Sequence, residues 1–502
     1  MARYKQMPMA PEQIMLFGTS VDDALAADSD VRSFNDVMEC LDYSGIQSKC
    51  SSLGCPPYPP KEMVKILTYA YSRGVRSSRK IEHRLKVDIE FIWLAGGIKP
   101  DHNTIARFRK DNWEHLSGLF KSSVRVCMEA GLVHLSVVAT DGTKIKSAAS
   151  ARSIYGERRL ERELAAVDRI LAEAEEVDAA EDEQYSSSSD NQIPEHLRDA
   201  KERKAYLRQI ADRLKQTNRS TAVETEPDAR VMRTSEGTRP AYNLQASVDA
   251  ESQVVVAMEL TQHEVDTGEL PGMIEQVQFN TGCSPDAALA DCGYSDEATF
   301  AWIAESKANV FMPVREQHLE KKRNDPFASK RFIADYEKDV LVCPAGKELR
   351  FTVEQFCGAA TYRQYAATDC QSCSFYRQCV KTGRGSRRVN VRVTASARNA
   401  MTEKLASEEG KKLFALRSQS VEPVFGQLKS NKGLGRFVCW GLEGASAEVA
   451  LACIAHNVSK CAAKSSLTTL LRLIGRLRSI IGRIATLLAL TAPPIPLAAE
   501  SF

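Results

Sequence analysis

Residues 135–140, Leu-Ser-Val-Val-Ala-Thr, form an apolar, β-rich run that empties into Asp141-Gly142, and residues 287–290 form a second run that ends at Asp291. Short apolar runs closed by turn residues predict buried strands. Each aspartate is thus expected at the C-terminal end of a strand, the two lying 150 residues apart. An isolated aspartate after a strand is ordinarily a turn residue. What constrains this chain is the order of elements around the pair.

Residues 242–248 and 254–260, joined by a polar turn at 249–252, read as a β-hairpin. A helical segment (267–279), the strand ending at Asp291, a helix (296–306) and a strand (310–313) follow. Three strands, helix, strand, helix, strand is the order required by an α/β fold with a ribonuclease-H-like mixed sheet. In that fold the first and fourth strands lie side by side at the centre, so Asp141 and Asp291 become neighbours. Between them, Leu160, Leu164, Val167, Leu171, Ala174 and Val177 recur every three or four residues amid charges. A like stretch covers 195–214, with Ser186–Ser189 between the two. These predict an antiparallel helical hairpin inserted after the first strand. Because it carries both charge signs, a solvated insertion is favoured over a DNA-binding one.

The chain has 502 residues, 43% hydrophobic and 26% charged, enough for a sizeable core in several regions. A net charge of +2 identifies no nucleic-acid partner, so any basic surface must be local. Residues 30–135 read as helical, with Met63, Ile66, Leu67, Ala70 and Tyr71 at helical spacing. Ser77 and Ser78 can cap a helix from Arg79, and Asn103 a second one carrying Arg107, Arg109 and Lys110. The pair suggests a helix-turn-helix-like DNA reader and, equally, an ordinary bundle with a solvated basic face. The N-terminal residues lack an apolar signal core. Near the C-terminus, Leu467, Leu470, Leu471, Ile474, Leu477, Ile481, Ile484 and Leu488 form a stripe opposed by Arg472, Arg476 and Arg483, which suits core packing or dimerisation rather than a membrane span. A cytoplasmic protein without membrane contact is expected.

Fourteen cysteines in a reducing compartment are core residues or metal ligands. Cys343 in a Cys-Pro-Ala-Gly turn, with Cys370, Cys373 and Cys379 at x2 and x5 spacing, fits a structural four-thiolate Zn²⁺ site. The 26 residues separating Cys343 from Cys370 include strand-like 349–353 and 361–365, and Cys357 is a competing ligand. Neighbouring Arg384, Arg387 and Arg388 suit phosphate contact.

Phosphodiester chemistry with two divalent ions needs hard oxygen ligands from separate elements, and carboxylates suit Mg²⁺ or Mn²⁺. Glu422 is the third candidate beside Asp141 and Asp291. Ser420 or Gln419 is expected to cap its helix, placing Pro423 in the first turn, where proline is tolerated. Glu422, Gly426 and Lys429 would then share a face. The expected divisions are a helical DNA-binding region (1–134), a catalytic domain begun at 135–156 and resumed at 236–320 and 386–463, the hairpin (157–235), a cysteine-rich zinc-ribbon-like insertion (321–385) and a C-terminal helix with tail (464–502).

The segments Thr140-Asp-Gly-Thr-Lys-Ile, Asn243-Leu-Gln-Ala-Ser-Val-Asp249, Ala290-Asp-Cys-Gly-Tyr-Ser-Asp296 and Val421-Glu-Pro-Val-Phe-Gly-Gln-Leu-Lys429 resemble those of bacterial insertion-sequence transposases with a DDE domain. So does the N-terminal stretch from Tyr58 through Ser77-Ser-Arg-Lys80 to Thr104-Ile-Ala-Arg-Phe-Arg109. The resemblance covers roughly residues 30–462. It implies that Asp141, Asp291 and Glu422 bind the catalytic ions and that Lys429 contacts DNA near the cut, with Lys432 and Arg436 beyond it. The broader family often has a Tyr and an Arg upstream of the Glu. Here no Tyr lies between Met401 and Glu422, and a DNA contact is not carried over to Arg417. His456 and Asn457 are expected to pack. The implied reaction has two steps: activated water cuts the element's end, and the freed 3′-hydroxyl attacks target DNA. The partners implied are terminal-repeat and target DNA and further copies of the chain. The alternatives are a nuclease without strand transfer and an inactive relative serving as a zinc-containing DNA-binding protein.

Overall fold

The computed structural model describes residues 20–47, 57–184, 195–314, 325–335, 338–357, 360–381 and 385–464. The C-terminal stripe from Leu467 and Arg384 therefore lie outside the described residues. The chain forms two units, divided after Leu132 and again after Gly426, with Val133–Gly426 as the second.

The first unit is helical: α1 (Val21–Ala24), α2 (Asp30–Glu39), α3 (Ser44–Gln47), α4 (Pro60–Ser72), α5 (Ser78–Val87), α6 (Ile89–Leu94), α7 (His102–Asp111), α8 (Trp113–Glu129) and the helix Gly441–Ala462. That last helix is buried on every side, with Ala445, Val449, Ala452, Ile454 and Cys461 all enclosed. A helix apolar all round needs helices around it, and α2, α4 and α8 supply them. The sequence reading put 386–463 with the catalytic sheet; from Gln427 onward the chain instead belongs with the N-terminal helices. His456 and Asn457 are buried, as expected of packing residues. Helix α7 is capped by Asp101, whose carboxylate accepts from Thr104 N at 2.6 Å, two residues earlier than the expected Asn103 cap. Helix α6 separates α5 from α7 in sequence, although the two pack together.

In the second unit, strands β1 (Val138–Lys146), β2 (Ile154–Gly156), β3 (Thr221–Val223), β4 (Arg230–Thr234), β5 (Gly237–Asp249), β6 (Val255–Thr261), β7 (Ala288–Leu289) and β8 (Val310–Phe311) appear in chain order. The main sheet runs β4-β5-β1-β7-β8, with β6 also on β5. Strand β1 is antiparallel to β5 from Val138↔Asp249 to Lys146↔Ala241, but parallel to β7 only at Val138↔Ala288 and Ala139↔Leu289. The first and fourth strands of the series β1, β5, β6, β7 are thus neighbours, as expected. One expectation fails. Asp141-Gly142 is not a turn; both residues lie within β1, at the point where β7 stops pairing.

Helices α9 (Glu157–Gln184) and α10 (Glu195–Gln216) pair, rooted by the small β2–β3 ladder and by Tyr155, Leu160, Leu207, Ile210 and Leu214. The Arg159 guanidinium stacks 4.0 Å over the Tyr155 ring. Helix α11 (Glu269–Thr281) packs on β6, and α12 (Glu297–Ser306) follows β7. A separate five-stranded sheet comprises β9 (Ile333–Asp335), β10 (Val340–Val342), β11 (Glu348–Cys357), β12 (Ala360–Ala367) and β13 (Arg388–Arg392), with the short helix α13 (Tyr376–Cys379). Its last strand lies beyond the expected boundary at 385, because β13 pairs with β12. Helices α14 (Ala395–Ala406) and α15 (Glu408–Gly426) complete the unit, α15 lying against β1 and β5. No helix among the described residues is long and apolar enough to cross a membrane.

Candidate active site

The buried triplet Val138-Ala139-Thr140 fixes β1 in the sheet and leaves Asp141 as the first partly open position. Its Oδ1 accepts from the Gly142 amide at 2.8 Å, and its Oδ2 from Arg417 Nη1 at 2.8 Å. Asp291 lies two residues after β7 and caps a short 3₁₀ turn, accepting from Gly293 N at 2.7 Å. Burial pushes the Asp141 carboxyl up to about 6; Arg417 pulls it back in part, and the charge of Asp291 pushes it up again. The two carboxylates therefore face one another electrostatically, and a nearby cation favours ionisation of both.

Glu422 is 59% exposed on α15, and its Oε1 lies 3.8 Å from Arg417 Nη2. Arg417 thus spans two of the three candidate acids. The sequence reading withheld a DNA contact from Arg417 because the family's upstream Tyr is missing; that its guanidinium reaches two of the acids is seen only in the fold. Helix α15 also does not begin at Glu422: it starts at Glu408, and Pro423 lies inside it. Proline cannot donate to the carbonyl four residues back, normally a cost of about 3 kcal/mol. Here that carbonyl, Gln419 O, accepts from Gln253 Nε2 at 3.3 Å. Beyond Gly426 the chain continues as a wider π-helical turn, Gln427–Asn431, so the expected α-helical spacing from Glu422 to Lys429 is not kept.

The expected DNA contacts divide by exposure. Arg107 and Lys110 on α7 are exposed, as are Arg388 and Arg436. Lys429 is half-buried. Arg109 is only 4% exposed, and its Nη1 donates to Tyr71 Oη and Arg76 O, both at 3.0 Å. It braces the helical unit and has no face for DNA. Lys432 is likewise buried, which pushes its amine down to about 8. Arg387 folds inward, donating to Phe327 O at 3.1 Å over the Phe332 ring.

Cys343, Cys370, Cys373 and Cys379 line one cavity together with Phe327, Phe332 and Leu349. Cys343 Sγ accepts from Lys347 N and Cys370 Sγ from Arg387 N, each at 3.3 Å. Burial raises the Cys379 thiol, Arg387 pulls it back in part, and the other three sulfurs raise it further. Cys357, the competing ligand, is exposed at the far end of β11. Cys40, Cys127, Cys453 and Cys461 are buried core residues. Among the described residues, no three His, Cys, Asp or Glu side chains stand together in an arrangement that could hold a metal ion. The donor chemistry nevertheless fits both kinds of ion, with carboxylate oxygens at the sheet and thiols in the small module.

Residues 342–462 match the family model described as a transposase DDE domain, and residues 19–111 match one described as a transposase domain (DUF772). The first match includes Glu422 and Arg417; Asp141 and Asp291 lie outside both. No curated protein matches the chain.

Proposed function

We propose that this chain, which matches two transposase domain models over residues 342–462 and 19–111, is a metal-dependent DNA transposase of the DDE kind in which Asp141, Asp291 and Glu422 hold two Mg²⁺ or Mn²⁺ ions that serve both cleavage at the element's ends and strand transfer into target DNA. The observation that carries this reading is the pair Asp141 and Asp291 at adjacent parallel strands, with Asp141 pushed towards its neutral form by burial and by the charge of Asp291, against the pull of Arg417. The strand order supports a ribonuclease-H-like sheet. Bound ions supply the charge that activates the attacking oxygen and stabilises the leaving one. The chain's own part is positional: the amides of Gly142 and Gly293 each hold one carboxylate oxygen, and Arg417 neutralises Asp141 and Glu422 until cations replace it.

Arg107, Lys110, Arg388, Lys429 and Arg436 are proposed to contact DNA, each adding a salt-sensitive phosphate term. The four-thiol cavity is proposed to hold a structural Zn²⁺ that knits β9–β13 together. Two copies or more bridging the two ends are expected to form the working assembly.

Divalent affinity should depend on pH. A raised carboxyl holds its proton up to about pH 6, and metal binding must release it. Affinity is therefore expected to fall roughly tenfold per pH unit below 6 and to level off above 7, as read by calorimetric Mn²⁺ titration. The sign for folding is opposite to that of a paired acid. The folded, metal-free state binds this proton more tightly than the unfolded chain, so Asp141 costs stability as pH rises from 3.8 to about 6.

The function is tested with element-end DNA already cut to expose its 3′-hydroxyl, a target plasmid, and Mg²⁺. Covalently joined products are expected, and EDTA should abolish them. Cutting of intact ends with no joined product under any divalent ion would overturn the transposase reaction in favour of a nuclease.

A further inference from the structure

A fourth acid, absent from the motifs that mark the other three, stands at the same site. Asp266 lies in the connection between β6 and α11, and its side chain is 20% exposed. Its Oδ1 accepts from three donors: Asn243 Nδ2 and Gln245 Nε2 at 2.7 Å each, and Lys144 Nζ at 3.1 Å. Gln245 cannot turn away, because its Oε1 accepts from the buried Tyr294 hydroxyl, three residues after Asp291. One oxygen of Asp266 is thus anchored from three sides.

The glycines beside the two central aspartates are shaped around this carboxylate. A Cβ on Gly142, next to Asp141, would collide with Asp266 Oδ1 and lie 2.7 Å from Gln245 Nε2. A Cβ on Gly293, two residues after Asp291, would lie 2.8 Å from Asp291 Oδ1 and 3.4 Å from Asp266 Oδ2. Neither glycine has the positive φ that would otherwise call for that residue. Space is the reason for both: Asp266 takes it beside Gly142, and Asp291 Oδ1, with Asp266 Oδ2 behind it, takes it beside Gly293. Its Oδ2 faces the same glycine-sized gap as Asp291 Oδ1, while all three donors address Oδ1.

We infer that Asp266 is a further ligand of the divalent centre, held by Oδ1 and offering Oδ2 to an ion beside Asp291. Two ions a few ångströms apart need more carboxylate oxygens than three side chains comfortably supply once water and phosphate also bind. The inference rests on the proposed Asp141–Asp291 centre. A purely structural Asp266, present to pair with Lys144, would need only Oδ1.

Asp266→Asn separates these roles, since the amide keeps an acceptor for the three donors and loses the Oδ2 charge. Mn²⁺ binding to the full chain without DNA, followed by electron paramagnetic resonance, is expected to weaken by at least about tenfold, with the metal-free melting temperature unchanged. Gly142→Ala, which displaces the carboxylate without altering it, is expected to weaken Mn²⁺ binding as well. Asp141→Asn serves as the reference. If it loses Mn²⁺ while both other variants bind as tightly as the intact protein, the role of Asp266 is overturned and the centre stands. If Asp141→Asn also binds normally, the centre itself is overturned.

Discussion

Glu422→Gln protein is expected to bind element-end DNA as well as the intact chain does, yet to cut it on the order of a thousandfold more slowly, comparable to losing a single strong charge-stabilising group at a reaction centre. The side chain is mostly exposed, so an isosteric amide leaves the packing of α15 untouched. Arg417 keeps its shorter bond to Asp141. What changes is one negative charge facing the ions. Because a single centre is proposed for both steps, joining from precut ends should fall by a similar factor. Parallel time courses on intact and precut substrates read the two losses. A variant that joins normally but cuts slowly would mean that Glu422 serves only the first step.

Cys373→Ser is expected to release zinc and unfold the five-stranded sheet while leaving the main sheet in place. The module's own core is small, comprising Phe332, Leu341, Leu349, Tyr365, Ala367 and Val389, and so few side chains do not hold an independent fold without a staple. A structural four-thiolate site contributes about 10 kcal/mol or more at neutral pH, well above what that core supplies. Strand β11 is exposed along most of its length, and the cavity lined by the four cysteines lies near its start, at Leu349. Metal analysis together with hydrogen exchange tests this. Near one equivalent of zinc is expected in the intact chain and little in the variant, with protection lost across β9–β13. Full protection without zinc would show that the sheet is held by packing alone.

The sequence made the order of the catalytic sheet legible because alternating apolar runs and helical periods are local signals, and the neighbour relation of β1 and β7 follows from that order. The exact place of Asp141 was not legible. A dipeptide such as Asp-Gly reads as a turn, whereas Gly142 is there to admit the carboxylate of Asp266 from more than a hundred residues away. Pro423 misled for a similar reason, since the donor that satisfies Gln419 O comes from Gln253 on another element. Arg109 and Arg107 look alike in sequence, and only packing sends one to Tyr71 and the other to solvent. The spacing of Cys370, Cys373 and Cys379 carried through to one cavity because the turn Cys370–Cys373 is closed locally by a 3.0 Å backbone bond.

The most direct test of the central claim is where Mn²⁺ binds in crystals of the protein, located by its anomalous scattering. The predicted result is density between Asp141 and Asp291, within reach of Glu422, with the Arg417 guanidinium displaced from Asp141 Oδ2. Saturating Mn²⁺ with no density at that pair, and Arg417 still bonded to Asp141, would contradict it.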